Sequence, residues 1–300
     1  MGREEIRPGV SLETREYGDD AAPALVVWGH GLCNSLEGED AERLWDFWND
    51  DDDDDGAPHL GPGPPPRSFR CPRTMRVVRY AARGHGDSSP ADRPEDCTWE
   101  TLGRDMLALA RRRRRDASQK LILGGASMGS ASALYAARHA LDDAVAGSNP
   151  TGANPEIDGL VLVILPTFHD TRRRRGAQIV AAAERGYDAT ASRKKIRPIF
   201  RGTEREAEPP IAMGVRADSF EHVMRASAVS DLPSAEDMSS RASSHPPTLA
   251  LCWDCGDATH PASSATRLAE LVPSARVRVA RSLEETREWP RMIREFVGGL

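Results

Sequence analysis

The chain has 300 residues, and its formal charge of −6 equals the charge of one run of six aspartates, Asp50 to Asp55. The other residues are close to neutral in sum, which excludes a global field that would attract nucleic acid or an anionic membrane. The charged N-terminus lacks the apolar centre of a signal peptide, and no apolar run approaches the ~20 residues of a membrane helix. We therefore expect a cytoplasmic protein with no membrane span and no nucleic-acid partner; its oligomeric state stays open.

Short apolar runs alternate with longer helical patterns, which is typical of a mostly parallel sheet with helices on both faces. Leu160–Leu165 contains only Leu, Val and Ile, as expected for a strand that is covered on both faces. We expect one α/β domain over residues 1–300. The predicted buried strands are Ala24–Trp28, Arg76–Tyr80, Lys120–Leu123, Leu160–Leu165, Thr248–Trp253 and Arg276–Ala280.

Two segments interrupt the alternation. Residues 49–70 combine the aspartate run with proline and glycine, and we expect a disordered insertion because they bury too little apolar surface to offset ordering. Residues 167–247, called here the cap segment, show scattered helical patterns and are expected to form a helical cap over an active site. The arginine runs Arg111–Arg115 and Arg172–Arg175 contain no interleaved aromatic residues, so we expect solvated surface at both.

The strongest motif is Gly125-Ala126-Ser127-Met128-Gly129, between the predicted strand Lys120–Leu123 and a small-residue helix over Met128–Ala140. G-x-S-x-G in this context places a nucleophilic serine on a strained strand-to-helix turn. A dinucleotide fingerprint would need glycine in place of Ala126, and a P-loop would need a Gly-Lys-Ser/Thr sequence. A plain glycine–serine turn remains an alternative.

Three further motifs agree with this turn in order and spacing. His30-Gly31-Leu32 follows the first strong strand, Arg83-Gly84-His85-Gly86-Asp87-Ser88 follows the next, and Asp257 with Pro261 forms an Asp-x-x-x-Pro after a late strand. Together the four motifs resemble the α/β-hydrolase superfamily over roughly residues 20–298. The final Trp289-Pro290 resembles a divergent group of that superfamily.

The resemblance implies that Ser127 is the nucleophile, that Asp257 is the triad acid, and that the backbone N–H groups of Leu32 and Met128 form the oxyanion hole. Asp257 has an alternative role, as a cap for the helix that opens at Pro261. No metal or organic cofactor is implied.

The histidine base is missing from its usual place. The family carries it after the last strand, where residues 281–287 contain none, and no histidine follows His260. We expect His260, in the loop of Asp257, to act as the base. The alternatives are that His222 reaches down from the cap segment or that no base exists. His30 and His85 belong to structural turns in the family, and His59 lies in the predicted insertion.

The leading hypothesis is a serine hydrolase that acts on a small ester, thioester or related carbonyl substrate. Its rival is a catalytically degenerate hydrolase-fold protein that binds a small ligand or partner. A perhydrolase, acyltransferase or lyase would reuse the same residues, because a fold does not determine a reaction.

Overall fold

The computed structural model describes residues 2–49, 73–146, 156–187, 198–209 and 211–300. These residues form an eight-stranded sheet in the order β1-β2-β4-β3-β5-β6-β7-β8. The first two strands form an antiparallel hairpin, β2 runs antiparallel to β4, and all other neighbours are parallel. The strands are β1 Gly2–Arg7, β2 Val10–Tyr17, β3 Ala24–Gly29, β4 Met75–Tyr80, β5 Lys120–Ala126, β6 Gly159–Val163, β7 Thr248–Trp253 and β8 Arg276–Ala280.

Helices cover both faces of this sheet, as expected from the sequence. One apolar cluster includes Leu102 and Leu134 from two adjacent helices, and the other includes Trp28 and Ile293 on the opposite face. The helices are α1 Leu36–Glu42, α2 Trp99–Arg113, α3 Met128–Ala146, α4 His169–Glu184, α5 Phe220–Val229, α6 Ala235–Ser240, α7 Ala262–Leu271, α8 Leu283–Thr286 and α9 Trp289–Gly298.

The structure corrects the strand predictions in three places. The β1–β2 hairpin was not predicted, because charged residues occupy much of these two strands and no continuous apolar run marks them. The strand expected over Leu160–Leu165 ends at Val163, because Ile164 turns out of the sheet with a φ of 46°. The prediction that Arg276–Ala280 is buried is wrong: it is an edge strand, and its side chains except Ala280 are exposed or half-buried.

The described part of the cap segment contains α4, α5 and α6. Helix α5 packs on the turn that follows β4, since a Cβ atom at Gly84 would lie 2.7 Å from Val223 Cγ2. This contact puts α5 beside the carboxyl ends of the parallel strands, where open α/β sheets hold their sites. The predicted insertion, apart from Asn49, lies outside the described residues, as does His59.

The prediction of solvated surface for the second arginine run is wrong at Arg172. Its side chain is buried, its guanidinium carbon lies 4.4 Å from the centre of the Trp99 ring, and its Nε donates to the Ser230 carbonyl at 3.2 Å. A planar guanidinium can stack on an aromatic face and donate hydrogen bonds at the same time. Arg172 therefore ties α4 to α2 and to the end of α5.

Candidate active site

The turn between β5 and α3 has the geometry of a nucleophile elbow. Ser127 adopts a φ of 55°, a left-handed conformation that a non-glycine residue keeps only when its surroundings enforce it. Its N–H donates to the Val163 carbonyl at 2.9 Å. A Cβ atom at Gly125 or Gly129 would lie 2.3 or 1.9 Å from the Gly29 carbonyl oxygen. Both positions therefore require glycine, because β3 passes directly against the turn.

Ser127, His260 and Asp257 form one chain of hydrogen bonds. His260 Nε2 lies 2.8 Å from Ser127 Oγ, and His260 Nδ1 lies 2.8 Å from Asp257 Oδ2. An ionised carboxylate only accepts hydrogen bonds, so the proton of the neutral imidazole belongs on Nδ1. The lone pair of Nε2 then faces the serine hydroxyl, the arrangement needed to remove its proton.

Asp257 is held as a carboxylate by four donors. Oδ2 also accepts from Trp253 Nε1 at 3.2 Å, while Oδ1 accepts from the N–H groups of Thr259 at 2.8 Å and His260 at 3.3 Å. Burial alone would raise the pKa of Asp257. The hydrogen bond from His260 and the positive charge that this ring carries when protonated, together with the two N–H groups, outweigh that burial and hold the pKa of Asp257 below its usual range.

The other candidate residues lie apart from this chain. His222, on α5, has a buried Nδ1 with no hydrogen-bond partner, and it makes no described hydrogen bond to Ser127. Asp254 is exposed. The alternative role of Asp257 as a helix cap has no support in the described hydrogen bonds, because its carboxylate binds residues that precede α7.

His30 and His85 hold two turns together beside the elbow. His30 Nε2 accepts from the N–H of Ala82 at 2.9 Å, and His85 Nε2 accepts from the N–H of Cys33 at 3.3 Å. Complete burial lowers the pKa of His85 to about 4, so the ring is neutral and can accept. These two rings support the loop that carries Leu32.

The two expected oxyanion donors border the nucleophile. Met128 follows Ser127 and opens α3, and the first N–H groups of a helix have no partner within it. Gly31, the neighbour of Leu32, is so close that a Cβ atom there would lie 3.6 Å from Ser127 Cβ. Both backbone segments therefore meet at the serine.

Trp253 is a site residue that sequence reasoning missed. It ends β7 and reaches the carboxylate four positions later. The spacing Trp253-Asp254-Cys255-Gly256-Asp257 was visible, but it does not reveal that the loop turns back over the indole. Trp253 also stacks on Trp289, with ring centres 6.1 Å apart.

Within the described ranges, no group of three or more His, Cys, Asp or Glu side chains is placed to hold a metal ion. None of the helices described there is both long and apolar enough to cross a membrane.

Solved structures with the same fold cover almost the whole chain. A thermophilic esterase from Thermogutta terrifontis aligns with a TM-score of 0.64 and 19% identity over 96% of this chain and 93% of its own. A hydrolase from Pseudomonas aeruginosa aligns at 0.62 and 20% identity over 99% and 95%. An enol-lactonase from Burkholderia xenovorans aligns at 0.55 and 16% identity over 98% of each chain. No family model and no curated relative matches the sequence.

Proposed function

We propose that this chain, which has the α/β-hydrolase fold, is a serine hydrolase that cleaves a small ester, thioester or related carbonyl compound. The observation that supports this proposal most is the hydrogen-bonded chain from Ser127 through His260 to Asp257. It supplies a nucleophile on the strained elbow, and a base and an acid on the loop after β7. The esterase and the enol-lactonase that share the fold agree with this reaction class.

The reaction starts with attack on the substrate carbonyl. Ser127 Oγ forms a bond to the carbonyl carbon while its proton moves to His260 Nε2. The imidazolium that results is stabilised by Asp257, whose Oδ2 already accepts from Nδ1. A general base in this position contributes roughly 10²–10⁴-fold to the rate.

The negative charge that develops on the carbonyl oxygen is bound by the N–H groups of Leu32 and Met128. Preorganised donors of this kind act in a water-poor site and cost no reorganisation during the reaction. Each one contributes about 2.7–4 kcal/mol to transition-state stability.

The intermediate then collapses to an acyl-enzyme. The bond between the carbonyl carbon and the leaving oxygen or sulfur breaks, and His260 returns its proton to the leaving group. Water next attacks the acyl-enzyme with His260 again as the base, which releases the carboxylic acid and regenerates Ser127. These steps use only side-chain and backbone groups of the chain, and water.

The cap segment favours a small, water-soluble substrate. Interfacial lipases present a large apolar face to their substrate, whereas the described part of this segment exposes one large apolar side chain, Val229. We propose that α5 borders the acyl site from above, since it packs beside the turn of Gly84.

Hydrolysis of 4-nitrophenyl acetate, butyrate and decanoate tests the function. We expect turnover of the two short esters by the wild type and loss of turnover in Ser127→Ala. Ser132→Ala is the matched control, because Ser132 is buried in α3, the helix that follows Ser127, and its hydroxyl donates to the Met128 carbonyl. Equal rates in wild type and Ser127→Ala would refute the proposal.

A further inference from the structure

We propose that Arg175 is a positioning residue through which helix α4 of the cap segment fixes the orientation of His260. The inference rests on the proposed function and adds a link between the cap segment and the base. The link arises because this chain carries its acid and its base on one short loop.

Asp257 and His260 are separated by only Ala258 and Thr259. The path of this four-residue loop therefore sets the position of both side chains at once. When acid and base occupy separate loops, each is held independently. Here a displacement of either intervening peptide would move the imidazole of His260 relative to Ser127.

Both intervening carbonyls are held by the cap segment. The Arg175 guanidinium donates to the Ala258 carbonyl, and the N–H of Thr167 donates to the Thr259 carbonyl at 3.2 Å. The loop is thus held from outside at each peptide between the acid and the base. Only the Arg175 bond can be removed by a side-chain substitution, since the other donor is backbone.

Helix α4 is itself firmly attached to the rest of the protein. The buried Arg172 stacks on Trp99 and bonds to the end of α5, and a Cβ atom at Gly176 would lie 2.9 Å from the Ala228 carbonyl oxygen. Arg175 therefore reaches the loop from a fixed support. If α4 moved, Arg175 would move with it, and its hydrogen bond would displace the Ala258 peptide and with it His260.

Three variants separate positioning from general stability. Arg175→Ala removes the donor, and Arg175→Lys keeps a cationic donor on a flexible stem. Arg174→Ala is the matched control, because Arg174 is exposed on the same helix and bonds to Thr171 Oγ1 of that helix at 3.3 Å. Each variant is compared with wild type in melting temperature, in kcat and KM for 4-nitrophenyl acetate, and in the rate of labelling by a fluorophosphonate.

We expect Arg175→Ala to lower kcat and the labelling rate about tenfold, since small misplacements of a catalytic group cost one to two orders of magnitude. KM and melting temperature should stay near wild type, Arg175→Lys should recover most of the rate, and Arg174→Ala should have no effect. Wild-type rates in Arg175→Ala would overturn the inference, as would an equal loss in Arg174→Ala.

A readout besides activity keeps the inference separate from the proposed function. The Nδ1 proton of His260 gives an NMR resonance that His260→Ala identifies. We expect Arg175→Ala to shift or broaden it and Arg175→Lys to restore it. An unlabelled, inactive wild type would refute the proposed function, whereas an unchanged resonance in Arg175→Ala would refute the positioning role itself.

Discussion

Replacing Asp257 by asparagine tests how the site is organised. The two carboxylate oxygens accept from four donors: Trp253 Nε1 and His260 Nδ1 on Oδ2, and the N–H groups of Thr259 and His260 on Oδ1. Asparagine has one acceptor oxygen and one NH₂ group. Whichever way the amide lies, two donors of the protein face its NH₂ group.

The expected loss in rate follows from this mismatch. With NH₂ towards His260, the imidazole must carry its proton on Nε2, so it donates to Ser127 and cannot accept the hydroxyl proton. The equivalent change in a serine-protease triad lowers kcat by about 10⁴, which corresponds to about 5 kcal/mol at 1.36 kcal/mol per factor of ten. With NH₂ towards Thr259, the loop itself loses its acceptor and shifts.

The assay is kcat for 4-nitrophenyl acetate together with the melting temperature. Asp254→Asn is the matched control, because Asp254 is an exposed aspartate in the same loop and should keep wild-type activity. If folded Asp257→Asn retained kcat within about tenfold of wild type, less than any general base contributes, the assigned role of Asp257 would be wrong.

Three further predictions concern stability. Gly129→Ala should prevent folding, because the new Cβ would lie 1.9 Å from the Gly29 carbonyl oxygen, whereas Gly298→Ala meets nothing within 4 Å and should fold; circular dichroism distinguishes the two. Ser130→Ala should cost about 1–3 kcal/mol in the free energy of unfolding, since its buried hydroxyl bonds to the carbonyls of Gly125 and Val163 at 2.6 and 2.8 Å, and a denaturant titration that shows no loss would contradict this role. The pKa of His85 is about 4 in the folded protein and ~6.5 in the unfolded chain. Between these two pH values the unfolded chain binds more protons than the folded one, so protonation of His85 should lower the free energy of unfolding by about 3 kcal/mol from pH 7 to pH 4. A His85→Gln variant should lack that part of the pH dependence, and an unchanged profile would show that His85 does not cause it.

The nucleophile turn could be predicted because its constraints are local. A strand, two glycines and a helix lie within a short stretch of sequence. Each glycine is needed because the Gly29 carbonyl of the neighbouring strand leaves no room for a Cβ atom there. The mostly parallel sheet was predictable for a similar reason, since its central strands are continuous apolar runs. The outer strands are less apolar, and for that reason the β1–β2 hairpin was missed.

The sequence put His260 ahead of His222 as the base, but it could not show that His260 reaches the serine. His260 and Ser127 are 133 positions apart, and their contact depends on how the loop after β7 folds back over Trp253. The burial of Arg172 could not be predicted for the same reason, because it depends on contact with Trp99 from a helix distant in sequence. Side chains that meet through the path of a loop or through packing of separate helices leave no periodic signal.

Fluorophosphonate labelling followed by peptide mapping tests the central claim most directly. In this reaction the serine oxygen bonds to phosphorus, fluoride leaves, and the base takes the hydroxyl proton. We expect the label on Ser127 in wild type and in His222→Ala, and no label in Ser127→Ala or His260→Ala. A folded wild type that stays unlabelled would contradict the claim and favour a ligand-binding protein on a hydrolase fold.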